Sequence, residues 1–371
     1  MPAPEIVLER ARPTIDGVRD SSIRIGTAGW SYPSGAGAWT GIVYPARRGR
    51  DKDFDELRAY AEHFDTVEVN STFYRIPTVE TTRSWVERTP SGFEFSVKLF
   101  QKLTHPRMFL DRLTKPPKGA PKDMVAEKST LPHGQALTAA GVSLADVDEF
   151  RKAIDPLASA GKLGAILVQF PASFKHDAAG IDHLAWLTQA LRDYQVAVEL
   201  RHKTWSDDVR TTLQVLNASR AAWVQIDEPK FRLSIAQNYL PNVEGFYYLR
   251  LHGRNAKAWW NHEKSADRYD YLYSAEELDP FVDVAQAVKV LVKKMYLYTN
   301  NHFEGKAAAN AVMLRDKLGL PNPGGYPPAF VEHYPALAGI VETTTDGKAS
   351  LFETAPVAAG TKPRRSARKG A

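Results

Sequence analysis

The sequence of 371 residues contains no cysteine. Disulfide frameworks, thiolate nucleophiles, cysteine-bound zinc fingers and iron–sulfur clusters are therefore excluded. The sequence also has no apolar run long enough to span a bilayer, and its N-terminus lacks the basic-then-apolar pattern of a signal peptide. We therefore expect a cytoplasmic protein with no membrane partner.

A strong excess of charge of one sign is also missing. The chain has 48 Lys and Arg residues against 43 Asp and Glu residues, which gives a formal net charge of +5. Part of this excess lies near the C-terminus, at Lys362, Arg364, Arg365, Arg368 and Lys369. The rest of the chain is closer to neutral, so the sequence gives only weak support to a nucleic-acid partner.

Eight short segments rich in β-branched and aromatic residues recur along the chain, and most of the stretches between them have helical periodicity. The segments are 23–26, 66–70, 93–98, 165–170, 196–201, 222–227, 246–252 and 295–300. Parallel neighbours need a crossover, so this alternation favours a mainly parallel sheet. No glycine-rich dinucleotide fingerprint follows the first segment, which disfavours an open doubly wound sheet. The sequence therefore predicts an α/β fold, a (β/α)8 TIM-type barrel.

The domain organisation follows from the same pattern. We expect one barrel domain over 21–354, an N-terminal tail over 1–20 and a basic, disordered tail over 355–371. An insertion over 105–147 follows the third strand, where barrel loops reach over the mouth. It is either a lid or a surface excursion. The connection 228–245 has little helical pattern, so the prediction is weakest there.

Polar side chains stand at the ends of the predicted strands, in one parity class. They are Glu68, Asn70, Lys98, Gln169, Glu199, Arg201, Asp227, Arg250, His252 and Asn300. Residues two apart on a strand share a face, so we expect these groups to meet inside the barrel at its C-terminal end. Such a cluster is either a structural ion network or a functional site. The strands start with apolar residues at Ile23, Phe93, Val196 and Ala222, which favours the site.

Five of these residues are candidates for catalysis: Glu68, Lys98, Glu199, Asp227 and His252. Lys98 can serve as a cation for an anionic group, as an acid or base with a lowered pKa, or as a Schiff-base nucleophile. The carboxylates offer a general acid and a general base if their neighbours separate their pKa values. His252 either moves protons or bonds to an adjacent loop.

Other residues are candidates for substrate binding. They are Asn70, Tyr74, Gln169, Arg201, Arg250, Arg254, Asn300, Asn301 and Gly305. We expect an anion between Arg250 or Arg254 and the start of the helix near Lys306, where barrels often bind phosphate. Aromatic residues in the following loops either stack on a ligand or close the barrel by packing. Lys98, Arg201 and Arg250 already supply positive charge, so no metal or cofactor is predicted.

Seven ordered motifs give the sequence a specific resemblance. They are GTAGWSY from Gly26, TVEVNSTFYRIP from Thr66, FEFSVK from Phe93 with TH at Thr104, LVQFP from Leu167, VELRHKTW from Val198, YLRLHGR from Tyr248 and YTNNHFEGKAAANA from Tyr298. Over residues 23–318 the chain resembles the YecE-like family, number seventy-two in the series of domains of unknown function. The resemblance implies a barrel fold but brings no reaction, substrate or cofactor. The insertion 105–147 and the residues Thr299, Asn300 and Asn301 depart from its usual pattern.

Two functions remain open from the sequence. The first is an enzyme, a hydrolase, lyase or isomerase, using acid–base chemistry on a small anionic substrate that is phosphorylated or contains a sugar. The second is a non-catalytic barrel that binds a nucleotide, a sugar or a nucleic-acid end. An enzyme needs a carboxylate or lysine whose pKa lies near neutrality, whereas a binder functions with all groups fully charged.

Overall fold

Nine parallel strands form one sheet that curves back on itself. The computed structural model describes residues 23–35, 37–46, 54–114, 129–259 and 267–344. The strands are β1 (Ile23–Ala28), β2 (Thr66–Val69), β3 (Glu94–Lys98), β4 (Leu163–Gln169), β5 (Val196–Glu199), β6 (Ala222–Trp223), β7 (Gln225–Asp227), β8 (Tyr247–Leu251) and β9 (Met295–Thr299). Their order is β6-β5-β4-β3-β2-β1-β9-β8-β7. Only Val224 separates the edge strands β6 and β7, so the ring follows chain order and the predicted (β/α)8 barrel is confirmed.

The wall of the barrel is split where the sixth strand breaks. β6 pairs with β5, whereas β7 pairs with β8. The loop after β7 enters the gap: Ile235 donates its backbone N–H to the carbonyl of Arg201 at 2.9 Å. The side chain of Gln237 accepts from Ile226 N at 3.0 Å and donates to Val224 O at 2.7 Å. This crossover, residues 228–246, contains no helix, which explains why its sequence lacks a helical pattern.

Helices surround the strands. They are α1 (Glu56–His63), α2 (Ser71–Tyr74), α3 (Val79–Glu87), α4 (Gln101–Thr104), α5 (Pro106–Leu113), α6 (His133–Ala139), α7 (Leu144–Ser159), α8 (Ala178–Ala190), α9 (Thr204–Asp207), α10 (Val209–Ala218), α11 (Ala275–Val288), α12 (Lys306–Lys317) and α13 (Pro328–His333). The capping box that Ser274 and Glu277 form starts α11. A short parallel pair, β10 (Gly325–Tyr326) and β11 (Glu342–Thr343), follows the barrel.

The insertion after β3 is described only in part. Its helix α6 packs against the outer helix α8, and His133 Nε2 lies 2.8 Å from His183 Nδ1. α6 therefore belongs to the helical layer. Residues 115–128 and the tails 1–20 and 355–371 lie outside the described residues. None of the described helices is both long and apolar enough to cross a membrane.

Polar and aromatic side chains fill the interior of the barrel beneath the C-terminal ends of its strands. Tyr248 and Tyr298 lie 5.2 Å apart between ring centroids, and Tyr298 bonds to Thr66 at 2.6 Å. Gly26 is required here, because a β-carbon at this position would lie 2.2 Å from the carbonyl oxygen of Thr66. The close approach of β1 to β2 explains the glycine of the GTAGWSY motif.

Charged residues also occupy the N-terminal end of the barrel. Arg24 pairs with Glu94 at 3.1 Å, and Glu94 pairs with Lys294 at 2.7 Å. The apolar strand starts had suggested that charge gathers only at the C-terminal end. That argument was wrong, because Ile23 and Phe93 face the helices and the next residue of each strand enters the barrel.

Candidate functional site

A buried arginine joins three strands at the C-terminal end of the barrel. Arg250 on β8 donates from Nε to Glu68 Oε2 at 2.9 Å and from Nη2 to Glu68 Oε1 at 2.6 Å. Its Nη1 donates to Glu199 Oε2 on β5. Tyr248 donates to Glu68 Oε2 at 2.8 Å. Arg250 is 1% exposed and both carboxylates are fully buried, so this planar fork is sealed from solvent.

A second arginine, Arg201, lies nearer to the mouth of the barrel than Arg250. Arg201 donates from Nε to Glu199 Oε1 at 2.7 Å and pairs through Nη1 with Glu228 at 3.3 Å. Its Nη2 lies 3.2 Å from His252 Nε2. The other ring nitrogen of His252 lies 2.9 Å from the amide of Asn300. The Arg201 side chain remains 14% exposed, so it is the arginine of this cluster that reaches the mouth.

Burial and charge move the pKa values of this cluster in different directions. Burial raises the pKa of Glu199, but Arg201 and Arg250 outweigh it and hold that pKa well below its ordinary value. At Glu228 the effect of burial is larger than that of the Arg201 charge, so the pKa of this carboxyl is raised. Burial and then Arg250 lower the pKa of His252 to about 3. His252 is therefore neutral at pH 7, and Glu228 is the carboxyl that most readily holds a proton.

Lys98 at the end of β3 differs from both arginines. Its Nζ lies over the ring of Phe73, 4.3 Å from the centroid. Among the described residues no carboxylate lies within ion-pair distance of this Nζ. Burial, and next the positive charge of Arg250, lower the pKa of Lys98 to about 7, although Glu199 and Glu68 act in the opposite direction. About half of the Lys98 amines are therefore neutral at pH 7.

Two residues of this cluster were missed by the sequence analysis. His105, between α4 and α5, lies edge-on to Phe73 at 4.8 Å, and burial followed by Lys98 lowers its pKa well below the ordinary value. The TH motif was visible in the sequence, but nothing there placed His105 beside Lys98. Glu228 was missed because the alternation was assigned with Asp227 facing inward, whereas the register with β8 puts Ile226, and therefore Glu228, on the inner face.

Asp227 does not join this cluster, which corrects its predicted position. It accepts from Arg254 at 2.8 and 3.1 Å and from Tyr273 at 2.7 Å. Arg254 also contacts Glu277 on α11 at 3.3 Å. The register with β8 explains the difference, because Ile226 lies beside inward-facing Arg250 whereas Asp227 lies beside Leu251. Asp227 and Arg254 therefore face the helices.

Replacing Asp227 should change stability rather than chemistry. Asp227→Ala leaves Tyr273 without its acceptor and Arg254 with one fewer partner, so we expect a loss of about 1–3 kcal/mol in the free energy of unfolding. Urea denaturation measures this loss. Asp148→Ala is the matched control, because its carboxylate pairs with Arg151 on the surface. A loss for Asp227→Ala no larger than that of the control would contradict this role.

The remaining predicted residues lie around the mouth or away from it. Asn70 Oδ1 is buried without a hydrogen-bond partner among the described residues, and Tyr74 is 60% exposed. Gln169 is buried and donates to Phe170 O at 3.2 Å. Asn301 instead bonds to Tyr271 O and Asn310 Oδ1, both at 2.7 Å. Gly305 caps α12 with a φ of 87° and packs against Val43.

The cations at the position predicted for an anion are already paired with carboxylates of the protein. Arg254 is paired with Asp227, and Lys306 pairs with Asp270 at 2.7 Å and with Glu304 at 3.6 Å. Arg250 is held by Glu68 and Glu199. Lys98, which has no ion pair among the described residues, is therefore the better placed cation for an anionic guest. Arg201 belongs to the same cluster and is 14% exposed, although it too is paired, with Glu199 and Glu228.

Aromatic rings surround the mouth. We call Tyr32, Trp259, Tyr269 and His302 the aromatic rim. His302 stacks on Tyr32 at 4.6 Å and lies 4.9 Å from Tyr269, and Trp259 lies 6.4 Å from His252. These rings pack against one another at the mouth.

The chain is similar to known proteins over most of its length. The family model described as "Protein of unknown function DUF72" matches residues 24–329. The UPF0759 protein YunF of Bacillus subtilis (strain 168) is 26% identical over 312 residues, which is 80% of this chain and 95% of that protein. A DUF72 family protein from Thermotoga maritima MSB8 is 29% identical with a TM-score of 0.61, covering 80% of this chain and 99% of that one. One from Enterococcus faecalis V583, at 24% identity, has a TM-score of 0.61 over 80% and 96% of the two chains. The chain thus belongs to the DUF72 family, whose members have no named function.

Proposed function

We propose that the protein is an enzyme that performs acid–base chemistry on a small anionic substrate, with Lys98 as the central proton-transfer group. The observation that carries this proposal is the environment of Lys98. It is a lysine at the C-terminal end of a barrel strand, without an ion pair among the described residues, and its pKa is lowered to about 7. A group that titrates near the working pH is what a general acid or base requires.

The reason for this environment is a competition for two carboxylates. Glu68 accepts two hydrogen bonds from Arg250 and a third from Tyr248. Glu199 is shared between Arg201 and Arg250. A guanidinium donates in a fixed fork that matches a carboxylate, so the arginines occupy these oxygens and leave the amine without an acceptor.

The charges of the cluster favour an anionic guest. Lys98, Arg201 and Arg250 stand against Glu68, Glu199 and Glu228, so the fully ionised cluster is balanced. Because the pKa of Glu228 is raised, protonation of this carboxyl leaves an excess positive charge beside the mouth while Lys98 is protonated. An anionic substrate, such as a phosphorylated sugar or a small carboxylate, restores the balance. The reaction class is that of a hydrolase, lyase or isomerase.

The first test is a search for the substrate. A thermal-shift screen over phosphorylated sugars, nucleotides and small carboxylates should find an anion that raises the melting temperature, because a ligand at a hundred times its Kd adds about 2.7 kcal/mol to stability. Hits are then assayed for turnover. A ligand that binds but is never converted, at any pH, would contradict the enzyme and support the non-catalytic binder, for which the aromatic rim offers stacking surfaces.

The pH dependence of turnover is the second test. If neutral Lys98 is the base, kcat/KM should fall as the pH drops through about 7, because the amine becomes protonated. Lys98→Arg cannot supply a neutral amine in this range, so it should lose most of the activity and no longer show the fall of kcat/KM near pH 7. Lys203→Arg, at a side chain that is 41% exposed, is the matched control and should keep the wild-type profile. A profile that is flat between pH 6 and 8 would contradict the assignment.

A further inference from the structure

We infer that Lys98 acts as a nucleophile and forms an imine with an aldehyde or ketone that carries an anionic group. This inference rests on the proposed function, because it needs the same neutral amine. It goes further by naming the substrate class, an anionic carbonyl compound, and a covalent intermediate.

The geometry supports a nucleophile in three ways. Lys98 Nζ lies over the face of Phe73 and makes no hydrogen bond or ion pair among the described groups, so its lone pair is not already committed there. The side chain is partly exposed at the mouth, whereas Arg250 beneath it is 1% exposed. The carboxylates of Glu68 and Glu199 act on Lys98 from nearby and favour a positive charge there. The cationic nitrogen of an imine would experience the same field.

The step balances without any oxidant, reductant or cofactor. The Nζ lone pair forms a bond to the carbonyl carbon, the C=O π electrons move to oxygen, and one proton passes from nitrogen to that oxygen. The carbinolamine then takes up one further proton and loses water, which leaves a protonated C=N bond. One proton is consumed overall. Burial raises the pKa of Glu228, which favours its protonated form, so this carboxyl is the candidate donor of that proton.

Arg201 is the group that would recognise the anionic part of the substrate. Its side chain is 14% exposed, and the residue lies two positions beyond the end of β5, in the same cluster as Lys98. A carboxylate or phosphate near Arg201 exchanges for Glu228 as its partner. Protonation of Glu228 and substrate binding therefore favour each other.

Reductive trapping tests the inference directly. The full chain is incubated at pH 7 with glyoxylate and sodium cyanoborohydride, and the modified lysines are located by peptide mass spectrometry. An ordinary lysine has a pKa of about 10.4, so its neutral fraction at pH 7 is far smaller than that of Lys98. We expect Lys98 to be labelled about a thousandfold faster than the half-exposed Lys203, a difference that follows from these neutral fractions.

Two controls make the result specific. Acetaldehyde has a similar size without the charge and should label Lys98 more slowly than glyoxylate, whereas Lys203 should show little preference. Lys98→Arg should remove the fast-labelled site and leave the label on other lysines unchanged. Labelling of Lys98 at the rate of Lys203 overturns the inference. If, in that case, kcat/KM still falls near pH 7 in a way that depends on Lys98, the two results together would reject the imine but retain the acid–base function.

Discussion

Arg250→Met should lose about 3–5 kcal/mol of stability, because it removes the guanidinium from two fully buried carboxylates. The sequence analysis placed Arg250 among the candidates for substrate binding. The structure gives it a structural role as well, since Arg250 is 1% exposed and holds β8 to β2 and β5. A loss of this size is a large part of the stability of an ordinary domain.

The two carboxylates should not contribute equally to this loss. Glu199 keeps Arg201 when Arg250 is replaced, whereas Glu68 keeps only Tyr248 among the described groups. Arg250→Met combined with Glu68→Gln should therefore recover more stability than the combination with Glu199→Gln. Urea denaturation of the three variants at pH 7 measures the order. Arg58→Met, on the exposed face of α1, is the control and should cost less than 0.5 kcal/mol, roughly the usual surface value.

The deficit of Arg250→Met should also depend on pH. Burial raises the pKa of Glu199, and Arg250 is one of the two arginines that hold this pKa well below its ordinary value, so without the guanidinium the pKa is higher than in the wild type. The deficit is then fully present at pH 7 and shrinks as the pH falls and Glu199 becomes protonated. An equal deficit at pH 4.5 and pH 7 would show that lost packing, rather than an unpaired charge, causes the instability.

Lys98→Met should have the opposite profile, with lost activity and retained stability. Removing a general base lowers kcat/KM by about a thousandfold. The substitution also removes a partly desolvated amine that has no ion pair among the described residues, so the melting temperature at pH 7 should stay equal or rise. Residues that combine lost function with gained stability are typical of strained functional sites.

The sign of the pH dependence follows from the lowered pKa of Lys98. The unfolded chain holds a proton on this amine up to about pH 10.4, whereas the folded protein releases it near pH 7. Wild-type stability therefore carries a penalty that is largest at and below pH 7 and disappears as the pH rises towards 10. The advantage of Lys98→Met over wild type should decrease along the same range. A melting temperature well below wild type at pH 7 would contradict the reading of Lys98 as a functional residue.

The barrel itself could be predicted because its pattern is local. Each strand is a short β-branched or aromatic segment and each helix has its own apolar stripe, so order along the chain determines order around the ring. Parity also placed Glu68, Glu199, Arg201, Arg250 and His252 at one end correctly, and the contacts among them bring those side chains together. Their catalytic or binding roles stay predictions.

The rest could not be predicted, because it depends on distances between strands. Asp227 and Glu228 are equally acidic neighbours, and only the register with β8 decides which of them enters the barrel. The unpaired state of Lys98 depends on which cations take the oxygens of Glu68 and Glu199. No spacing along the chain reveals the outcome of that competition, and none places His105 next to Lys98 across the Phe73 ring.

The broken sixth strand leaves a joint in the ring between β6 and β7. On one side stands β5 with Arg201 after it, and on the other stands β7 with Glu228 after it. Loop groups such as Gln237, rather than a continuous ladder, hold this part of the wall together. The contact between Arg201 and Glu228 bridges the joint from the inside. We therefore expect a guest that takes Arg201 away from Glu228 to loosen the wall, and by reciprocity we expect a change that widens the joint to alter the affinity for the guest.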